Sequence, residues 1–310
     1  MLREVLAEKS GISPKRLQFI QENASRMYKV YPISKRDGTD RIISQPTPEL
    51  KALQRWLSRG IFQRLPVSSC AMAYKKGASI RENAKAHVKT SFTLHLDFED
   101  FFPSFSTDHI IRYLSENTKL NSDDIQFCSD VVCRHGRLTI GAPSSPAVTN
   151  ALMHSFDLQV DSWCSGRGLV YTRYADDINI SSAGSGSLGD VEGFISATAK
   201  DFKYASLTIN GKKTAYLSKK YRRSITGINV TPEGCISIGR ARKREIKSLV
   251  HSFKLGSLEP ELLWKLGGLI AFAHDVEPDF VVSLKKKYGS ATVEAILHQK
   301  TPRGLRGPKE

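Results

Sequence analysis

Residues 169–182 read LVYTRYADDINISS, and this stretch decides the fold. Leu169–Tyr174 and Ile178–Ser182 are short β-prone runs, so they predict two strands joined by residues 175–177. Upstream, Ser91–Leu96 alternates apolar and polar residues as a half-buried strand does. The pattern predicts an antiparallel hairpin, with a further strand elsewhere in the same region of the chain.

Helical periodicity surrounds these strands, and two further strands are expected at Tyr28–Ile33 and Asp40–Ser44 around a turn at residues 36–38. The segments that predict helices are Leu50–Leu65, Asp123–Cys133 with Ser122 as its cap, Ala147–Cys164, Val191–Tyr204 and most of the chain from Arg242. Strands in the middle and helices at the end predict an α+β fold.

Three carboxylates stand out by their positions. Asp176 and Asp177 lie at the tip of the predicted hairpin, and Asp97 ends the strand before them. An Asp pair in a turn is also ordinary turn chemistry, because Asp bonds to nearby backbone amides. Three carboxylates at one place can instead hold two Mg²⁺ ions for phosphoryl transfer, and without a cation their like charges would repel.

The charge of the chain favours a polyanionic partner. The 310 residues include 46 Lys and Arg against 31 Asp and Glu, a net charge of +15, and +9 of it lies between Gly211 and Lys247. Lys and Arg neutralise phosphates, which favours nucleic acid; a solvated basic surface is the alternative. The five scattered cysteines, the lack of a long apolar run and the lack of a signal peptide predict a cytoplasmic protein with reduced thiols and no membrane contact.

The hairpin sequence Tyr174-Ala175-Asp176-Asp177 resembles the Tyr-x-Asp-Asp signature of reverse transcriptases. Other blocks of that family follow in the same order. They are the fingers segment Arg41–Pro46, the first catalytic block Asp97–Phe102, the template-positioning block Gly141–Pro146 and the Lys-containing block Asn210–Thr214. Two more elements, Asn83–His87 (Asn-Ala-x-x-His) and Ser224–Gly227 (near Val-Thr-Gly), resemble the bacterial retron reverse transcriptases.

The resemblance implies a right-hand polymerase with fingers, an antiparallel palm and a mostly helical thumb. We place the N-terminal helix and fingers in residues 1–90, the palm in 91–225 with a fingers segment around 115–145, and an RNA-binding thumb in 226–310. The implied activity is RNA-directed DNA synthesis on a structured non-coding RNA. It is primed from an RNA 2′-hydroxyl, gives branched RNA–DNA (msDNA), and serves anti-phage defence with an effector protein.

Two other functions remain open from the sequence. One is a reverse transcriptase of the group II intron or diversity-generating kind. The other is a largely non-catalytic scaffold that binds RNA, DNA and an effector.

The resemblance also implies roles for single residues in the chemistry. Asp97, Asp176 and Asp177 would bind two Mg²⁺ ions, with Mn²⁺ as an alternative metal. The nucleotide-binding candidates are Phe102, Arg41, Lys213 and Gly141. Phe102 would lie under the sugar of the nucleotide, or it is an aromatic residue of the core. Arg41, with Lys35 or Arg36, would bind the triphosphate, or these are exposed cations, and Lys213 would approach the pyrophosphate, or it is a surface lysine.

The expected RNA-binding residues lie in the retron-like elements and in the basic segment. His87 and Asn83 share a helix face and are candidates for RNA contact, with a structural histidine as the alternative. Thr226 and Gly227 would read the RNA primer stem, with Gly227 marking a close approach or a bulge. The basic residues that would open a thumb helix and bind RNA are Arg240, Arg242, Lys243, Arg244 and Lys247. Of these, Arg240, Lys243, Arg244 and Lys247 share one helix face, which would track phosphates or be simply solvated.

One departure from the family is Ile140, which stands where many reverse transcriptases have Gln before the Gly of the template block. We expect it to affect fidelity or nucleotide affinity and not the metal chemistry.

Overall fold

The computed structural model describes residues 2–34 and 38–298 of the chain. They divide into two units, of which unit 1 comprises Met1–Ala78 and Phe92–Tyr216, and unit 2 comprises Ser79–Ser91 and Leu217–Glu310. Each unit has its own cluster of buried apolar side chains. The division into fingers, palm and thumb at residues 90/91 and 225/226 concerns function, and it stays a prediction.

Helices and strands are interspersed up to Ser237, and from Arg240 onward the helices follow one another without a strand between them. In chain order they are α1 (Leu2–Ser10), α2 (Pro14–Asn23), α3 (Pro48–Gly60), α4 (Ile80–Ala86), α5 (Thr107–Asn117), α6 (Ser122–Val132), α7 (Ser145–Leu152), α8 (His154–Ser165), α9 (Val191–Lys200), α10 (Arg240–Lys254), α11 (Pro260–Val276), α12 (Pro278–Tyr288) and α13 (Ser290–Leu297).

Within the described residues the strands form three sheets of two, four and three strands, with the orders β1-β2, β4-β5-β3-β6 and β7-β8-β9. Strand β5 pairs antiparallel with both β3 and β4. The strands are β1 (Tyr28–Ser34), β2 (Asp40–Pro46), β3 (Phe92–Asp97), β4 (Val170–Tyr174), β5 (Asp177–Ser182), β6 (Ala215–Ser218), β7 (Arg223–Ile225), β8 (Ile228–Val230) and β9 (Ile236–Ser237). This architecture confirms the α+β prediction.

Several predicted boundaries differ from the structure. The helix expected over Ala147–Cys164 is two helices, α7 and α8, which meet at Met153 (φ −72°, ψ −5°). The cap of α6 is Asn121, whose side chain accepts the amide hydrogen of Asp124, so Ser122 is already helical. Helix α3 ends at Gly60, and a 3₁₀ turn follows it.

The apolar core of unit 1 holds in place the strands that carry Asp97 and Asp177. Leu94 and Leu96 on β3, and Ile178 and Ile180 on β5, are fully buried. Because β3 and β5 alternate sides, burying these residues on one face directs the intervening residues to the other. No helix in the described part of the chain is long and apolar enough to cross a membrane.

Candidate active site and nucleic-acid interface

The hairpin between β4 and β5 has a tighter tip than the sequence suggested. Asp177 is the first residue of β5 and pairs with Tyr174, so only Ala175 and Asp176 form the turn. Ala175 has a φ of +57°, a left-handed conformation that residues with a Cβ seldom adopt. The strained backbone of this turn therefore fixes the position of Asp176 and of Asp177, which directly follows the turn.

The third carboxylate lies beside this turn because of strand register. Asp97 is the cross-strand partner of Asp177 at the end of β3. The chain after α9 runs along the same strand end, where the amide of Asn210 donates to the carbonyl of Asp97 at 2.7 Å. This places the half-exposed Lys213, whose Nζ donates to Oδ1 of Asp97 at 2.7 Å. The structure thus brings Asp97 and Lys213, which lie 116 positions apart in the sequence, together beside Asp176 and Asp177.

The electrostatics of the cluster reflect crowded negative charge. Burial, together with the nearby charges of Asp176 and Asp97, raises the pKa of Asp177 to about 6. Burial, with a contribution from Asp97, also raises the pKa of Asp176. The hydrogen bond to Asp97 raises the pKa of Lys213, which also feels the other two carboxylates. Lys213 therefore stays protonated in this environment.

The side chains of Asp97, Asp176 and Asp177 have the chemistry of ligands for a hard divalent cation, although they do not converge on one point. Within residues 2–34 and 38–298, no group of three or more His, Cys, Asp or Glu is arranged to hold a metal ion. All three candidates are carboxylates, the ligands that Mg²⁺ prefers. The ammonium of Lys213 already lies against Asp97 as a cation, and the raised pKa values of Asp176 and Asp177 indicate charge that a metal would compensate.

Three residues near this cluster escaped the sequence interpretation. His95 is two residues before Asp97; its Nδ1 lies 3.2 Å from Oδ1 of Asn179 and its Nε2 lies 3.6 Å from Oδ1 of Asp177. Arg173 is fully buried directly before Tyr174. Tyr74 has a φ of +60° and a pKa that is raised by burial and by Asp176. His95 and Arg173 could have been found from their adjacency in sequence or strand register to the carboxylates, whereas Tyr74 offered no such signal.

Arg41 and Phe102 have the exposure that their candidate roles require. Arg41 is exposed on β2, and its positive charge partly opposes the burial that raises the pKa of Asp176, so the two lie within electrostatic reach. Phe102 is half-buried in a 3₁₀ turn, with its ring centroid 5.6 Å from that of Phe101. Lys35 and Arg36 lie outside the described residues.

Gly141 lies where the template block crosses strand β2. The amide of Ser44 donates to the carbonyl of Ile140 at 2.8 Å. A Cβ on Gly141 would come within 2.8 Å of the carbonyl oxygen of Ser44, and its φ is +108°. Only glycine satisfies both the approach and the backbone angle, so this block is fixed directly to the β1–β2 hairpin.

In unit 2 the Asn-Ala-x-x-His element forms α4, which Ser79 caps through the amide of Glu82. Asn83 and His87 are both 0% exposed. Burial and the nearby charge of Arg223 lower the pKa of His87 to about 3, so its ring is neutral. This corrects the expectation of direct RNA contact, because a fully buried side chain presents nothing to a ligand.

The Thr226-Gly227 pair is a two-residue turn between β7 and β8. Both residues have positive φ, +46° and +81°, as mirror-image hairpin turns require. A Cβ on Gly227 would meet no atom within 4 Å, so glycine is favoured here by the positive φ and not by lack of space for a side chain. Nδ2 of Asn83 donates to Oγ1 of Thr226 at 3.3 Å, which fixes the turn to α4.

The basic residues of α10 divide into exposed and partly buried side chains. Arg240, Arg244 and Lys247 are exposed, and Nζ of Lys247 also lies 5.7 Å from the ring centroid of Phe280. Lys243 forms a salt bridge with Glu277, and Arg242 lies over the ring of Phe272 at 4.9 Å. The basic helix face predicted from helical spacing therefore presents fewer exposed cations than expected.

Comparison with known proteins agrees with this geometry. A family model described as reverse transcriptase (RNA-dependent DNA polymerase) matches residues 33–235. The retron Ec83 reverse transcriptase of Escherichia coli is 38% identical over 279 residues, covering 87% of this chain and 89% of that protein. The retron Ec86 reverse transcriptase of the same species is 32% identical over 302 residues, covering 92% and 89%.

Among solved structures, a telomerase from Candida albicans in complex with a TWJ fragment of telomeric RNA is 13% identical, with a TM-score of 0.48. The match covers 88% of this chain and 61% of the telomerase. The assignment rests on the sequence matches instead. The chain belongs to the retron reverse transcriptases, which are RNA-directed DNA polymerases.

Proposed function

We propose that Asp97, Asp176 and Asp177 form the catalytic centre for DNA synthesis and hold two Mg²⁺ ions. Reverse transcriptases generally use divalent metal ions; the number and identity of the ions belong to this proposal. The observation that carries it is the cross-strand pairing of Asp97 with Asp177, with Asp176 in the adjoining turn. When bound, the ions stabilise charge on the attacking and leaving oxygens.

The side chains of this chain then have separate tasks in the transfer. A 3′-hydroxyl, or a 2′-hydroxyl at the first addition, attacks the α-phosphorus of a dNTP, and the bond to the pyrophosphate breaks. Lys213 leaves its hydrogen bond with Asp97 and binds the pyrophosphate instead, where its protonated Nζ balances negative charge or donates a proton. Arg41 makes charge-assisted bonds to the triphosphate.

Two further residues shape the nucleotide pocket in this proposal. The ring of Phe102 excludes a 2′-hydroxyl and so favours dNTP over NTP. Gly141 keeps the template block against β2, and Ile140 before it alters nucleotide affinity or fidelity. Unit 1 would accordingly include most of the fingers and palm, and unit 2 would include the thumb together with residues 79–91 and 217–225.

The RNA surface is proposed to lie on unit 2, at the Thr226-Gly227 turn and along the exposed cations of α10. The supporting observation is that Arg240, Arg244 and Lys247 are exposed, whereas Lys243 is paired with Glu277. Replacing the three exposed cations with Gln should flatten the dependence of log RNA affinity on log salt by about 2–3, since each phosphate contact contributes about 0.7–0.9.

The matched control replaces Arg242 and Lys243 with Gln, and it should flatten the slope less. An equal effect of the two variants, or an unchanged slope in both, would contradict this placement of the RNA surface.

The biological role is proposed from the family. The protein would copy a cognate structured RNA in the bacterial cytoplasm, starting from a 2′-hydroxyl of that RNA. It would thereby make branched RNA–DNA for anti-phage defence with an effector protein. The support is the likeness to proteins named for retrons, together with the two retron-like elements that contact each other through Asn83 and Thr226.

The test is to isolate the protein from its host and sequence the nucleic acid bound to it. A 2′,5′-debranching enzyme should separate the recovered DNA from its RNA. Linear cDNA without a branch would favour an intron-like or diversity-generating reverse transcriptase, and RNA without DNA would favour a scaffold.

A further inference from the structure

A buried ion pair lies beneath the catalytic turn. Arg173 on β4 and Asp157 on α8 are both 0% exposed. Nε of Arg173 donates to Oδ1 of Asp157 at 2.8 Å, and its second terminal nitrogen donates to Oδ2 at 2.7 Å. This bidentate geometry fixes the orientation of the guanidinium plane as well as its position.

The remaining terminal nitrogen of Arg173 reaches the turn itself. It donates to the carbonyl oxygen of Ala175 at 3.0 Å. That carbonyl belongs to the peptide unit that leads into Asp176, and Ala175 is the residue with the left-handed φ of +57°. Such a conformation persists only where the surroundings determine it, and the charged donor supplies that constraint.

The same guanidinium is tied to two other elements of unit 1. It lies 3.3 Å from Oδ1 of Asn150 on α7, and Nδ2 of Asn150 donates to the carbonyl of Ala73 at 2.8 Å. The hydroxyl of Tyr171 donates to Oδ1 of Asp157 at 2.7 Å. The turn, two helices and the loop before Tyr74 therefore share one hydrogen-bonded network.

Stability alone does not account for this arrangement. A buried ion pair can often be replaced by apolar residues of similar volume at little or no cost in stability. What an apolar pair could not supply is a donor for the carbonyl of Ala175. The network is therefore matched to the geometry of the turn.

We propose that Arg173 is a positioning residue for DNA synthesis, which fixes the peptide between Ala175 and Asp176 so that the turn carboxylates meet Asp97. This inference rests on the proposed function, in which those carboxylates hold the metal ions. Asp157 orients the guanidinium, and neither residue touches substrate.

The decisive experiment uses the double substitution Arg173→Met with Asp157→Leu in the full chain. We expect cooperative unfolding and RNA affinity near those of the wild type, while kcat falls by about 10²-fold, the cost of a misplacement of about 1 Å. The Mg²⁺ concentration for half-maximal activity should rise, and the KM for dNTP should change by less than about 3-fold. A folded double variant with wild-type kcat and Mg²⁺ dependence would overturn the proposal.

A second pair of variants keeps the test valid if the double variant fails to fold. Arg173→Lys retains a charge for Asp157 but lacks the planar fork that also reaches Ala175, so kcat should fall about tenfold or more with the same rise in Mg²⁺ requirement. Tyr171→Phe is the matched control, because it removes a bond to Asp157 and leaves the bond to Ala175. Equal losses in both would mean a general core effect and overturn the proposal.

Failure of the proposed function itself gives a different result. If Asp176→Asn remained as active as the wild type, the metal centre would be misassigned. If Asp176→Asn were inactive while both Arg173 variants kept wild-type kinetics, only the positioning role would be wrong.

Discussion

Each unit contains a hairpin whose turn has a residue with left-handed φ and is preceded by a buried arginine. The two hairpins differ in what compensates the charge of that arginine. In unit 1, Arg173 precedes Ala175 by two residues; in unit 2, Arg223 precedes Thr226 by three. The guanidinium of Arg173 is held by the carboxylate of Asp157. Burial alone would lower the pKa of Arg173, but Asp157 raises it above its usual value.

Arg223 is 1% exposed, and within the described residues no carboxylate pairs with it. It donates to the carbonyls of His87 and Thr90 at 2.9 and 2.7 Å, at the C-terminal end of α4, where helix carbonyls carry partial negative charge. Burial lowers its pKa. In unit 1 the charge of Arg173 is neutralised by Asp157, and this pair supports the acidic turn at Ala175 and Asp176. In unit 2 no carboxylate of the described residues neutralises the charge of Arg223, and its network supports the turn at Thr226 and Gly227.

The largest expected contrast between the two networks is in stability. Asp157→Leu leaves Arg173 buried without its anion, which should lower the free energy of unfolding by about 3–5 kcal/mol. Arg223→Met removes the charge itself and leaves only carbonyls short of a donor, so about 1–2 kcal/mol is expected. Denaturant unfolding of each variant measures the difference, and equal losses would mean that the compensation does not distinguish the networks.

Acid should weaken unit 2 through His87. Its pKa is about 3 in the folded chain and about 6.5 when unfolded, so the unfolded chain binds more protons between these values. The stability is therefore fully present above pH 6.5 and decreases as the pH falls towards 3, by about 2–3 kcal/mol at pH 4.5. His87→Gln should be less sensitive to acid over this range in urea titrations; unchanged sensitivity would contradict the assignment.

The smallest effect concerns the acidic turn, and its pH dependence has the opposite sign. The pKa of Asp177 is raised to about 6, so the folded chain binds the extra proton, and stability is lost as the pH rises from about 4 through 6. Without metal at pH 8, Asp177→Asn should therefore stabilise the chain by about 1 kcal/mol after allowance for solvent screening. Thermal unfolding with EDTA measures this, and a destabilised variant would argue against crowded charge.

The sequence predicted the parts of the site that are local in the chain. The two turn carboxylates could be placed from the short β-prone runs around them, and Asp97 from the strand it ends. Their family roles came from a resemblance. The pairing of Asp97 with Asp177 depends on register between strands some eighty residues apart, which no local pattern contains.

Burial explains most of what the sequence missed. Arg223 was counted as part of a basic surface and is inside unit 2, while Lys243 is paired with Glu277. Charge counting cannot separate exposed from buried cations, because the partner residues are distant in sequence. The ion pair of Arg173 and Asp157 was invisible for the same reason, since helix packing alone brings α8 against β4.

The central claim is that DNA synthesis occurs at the three carboxylates of unit 1. The most direct measurement is RNA-templated dNTP incorporation by the wild type and by Asp176→Ala with Asp177→Ala, with RNA affinity measured on the same samples. We predict that DNA product falls by about 10³-fold or more, while RNA binding stays within about 3-fold because the proposed RNA surface consists of residues of unit 2. DNA synthesis near the wild-type level in the double variant would contradict the account.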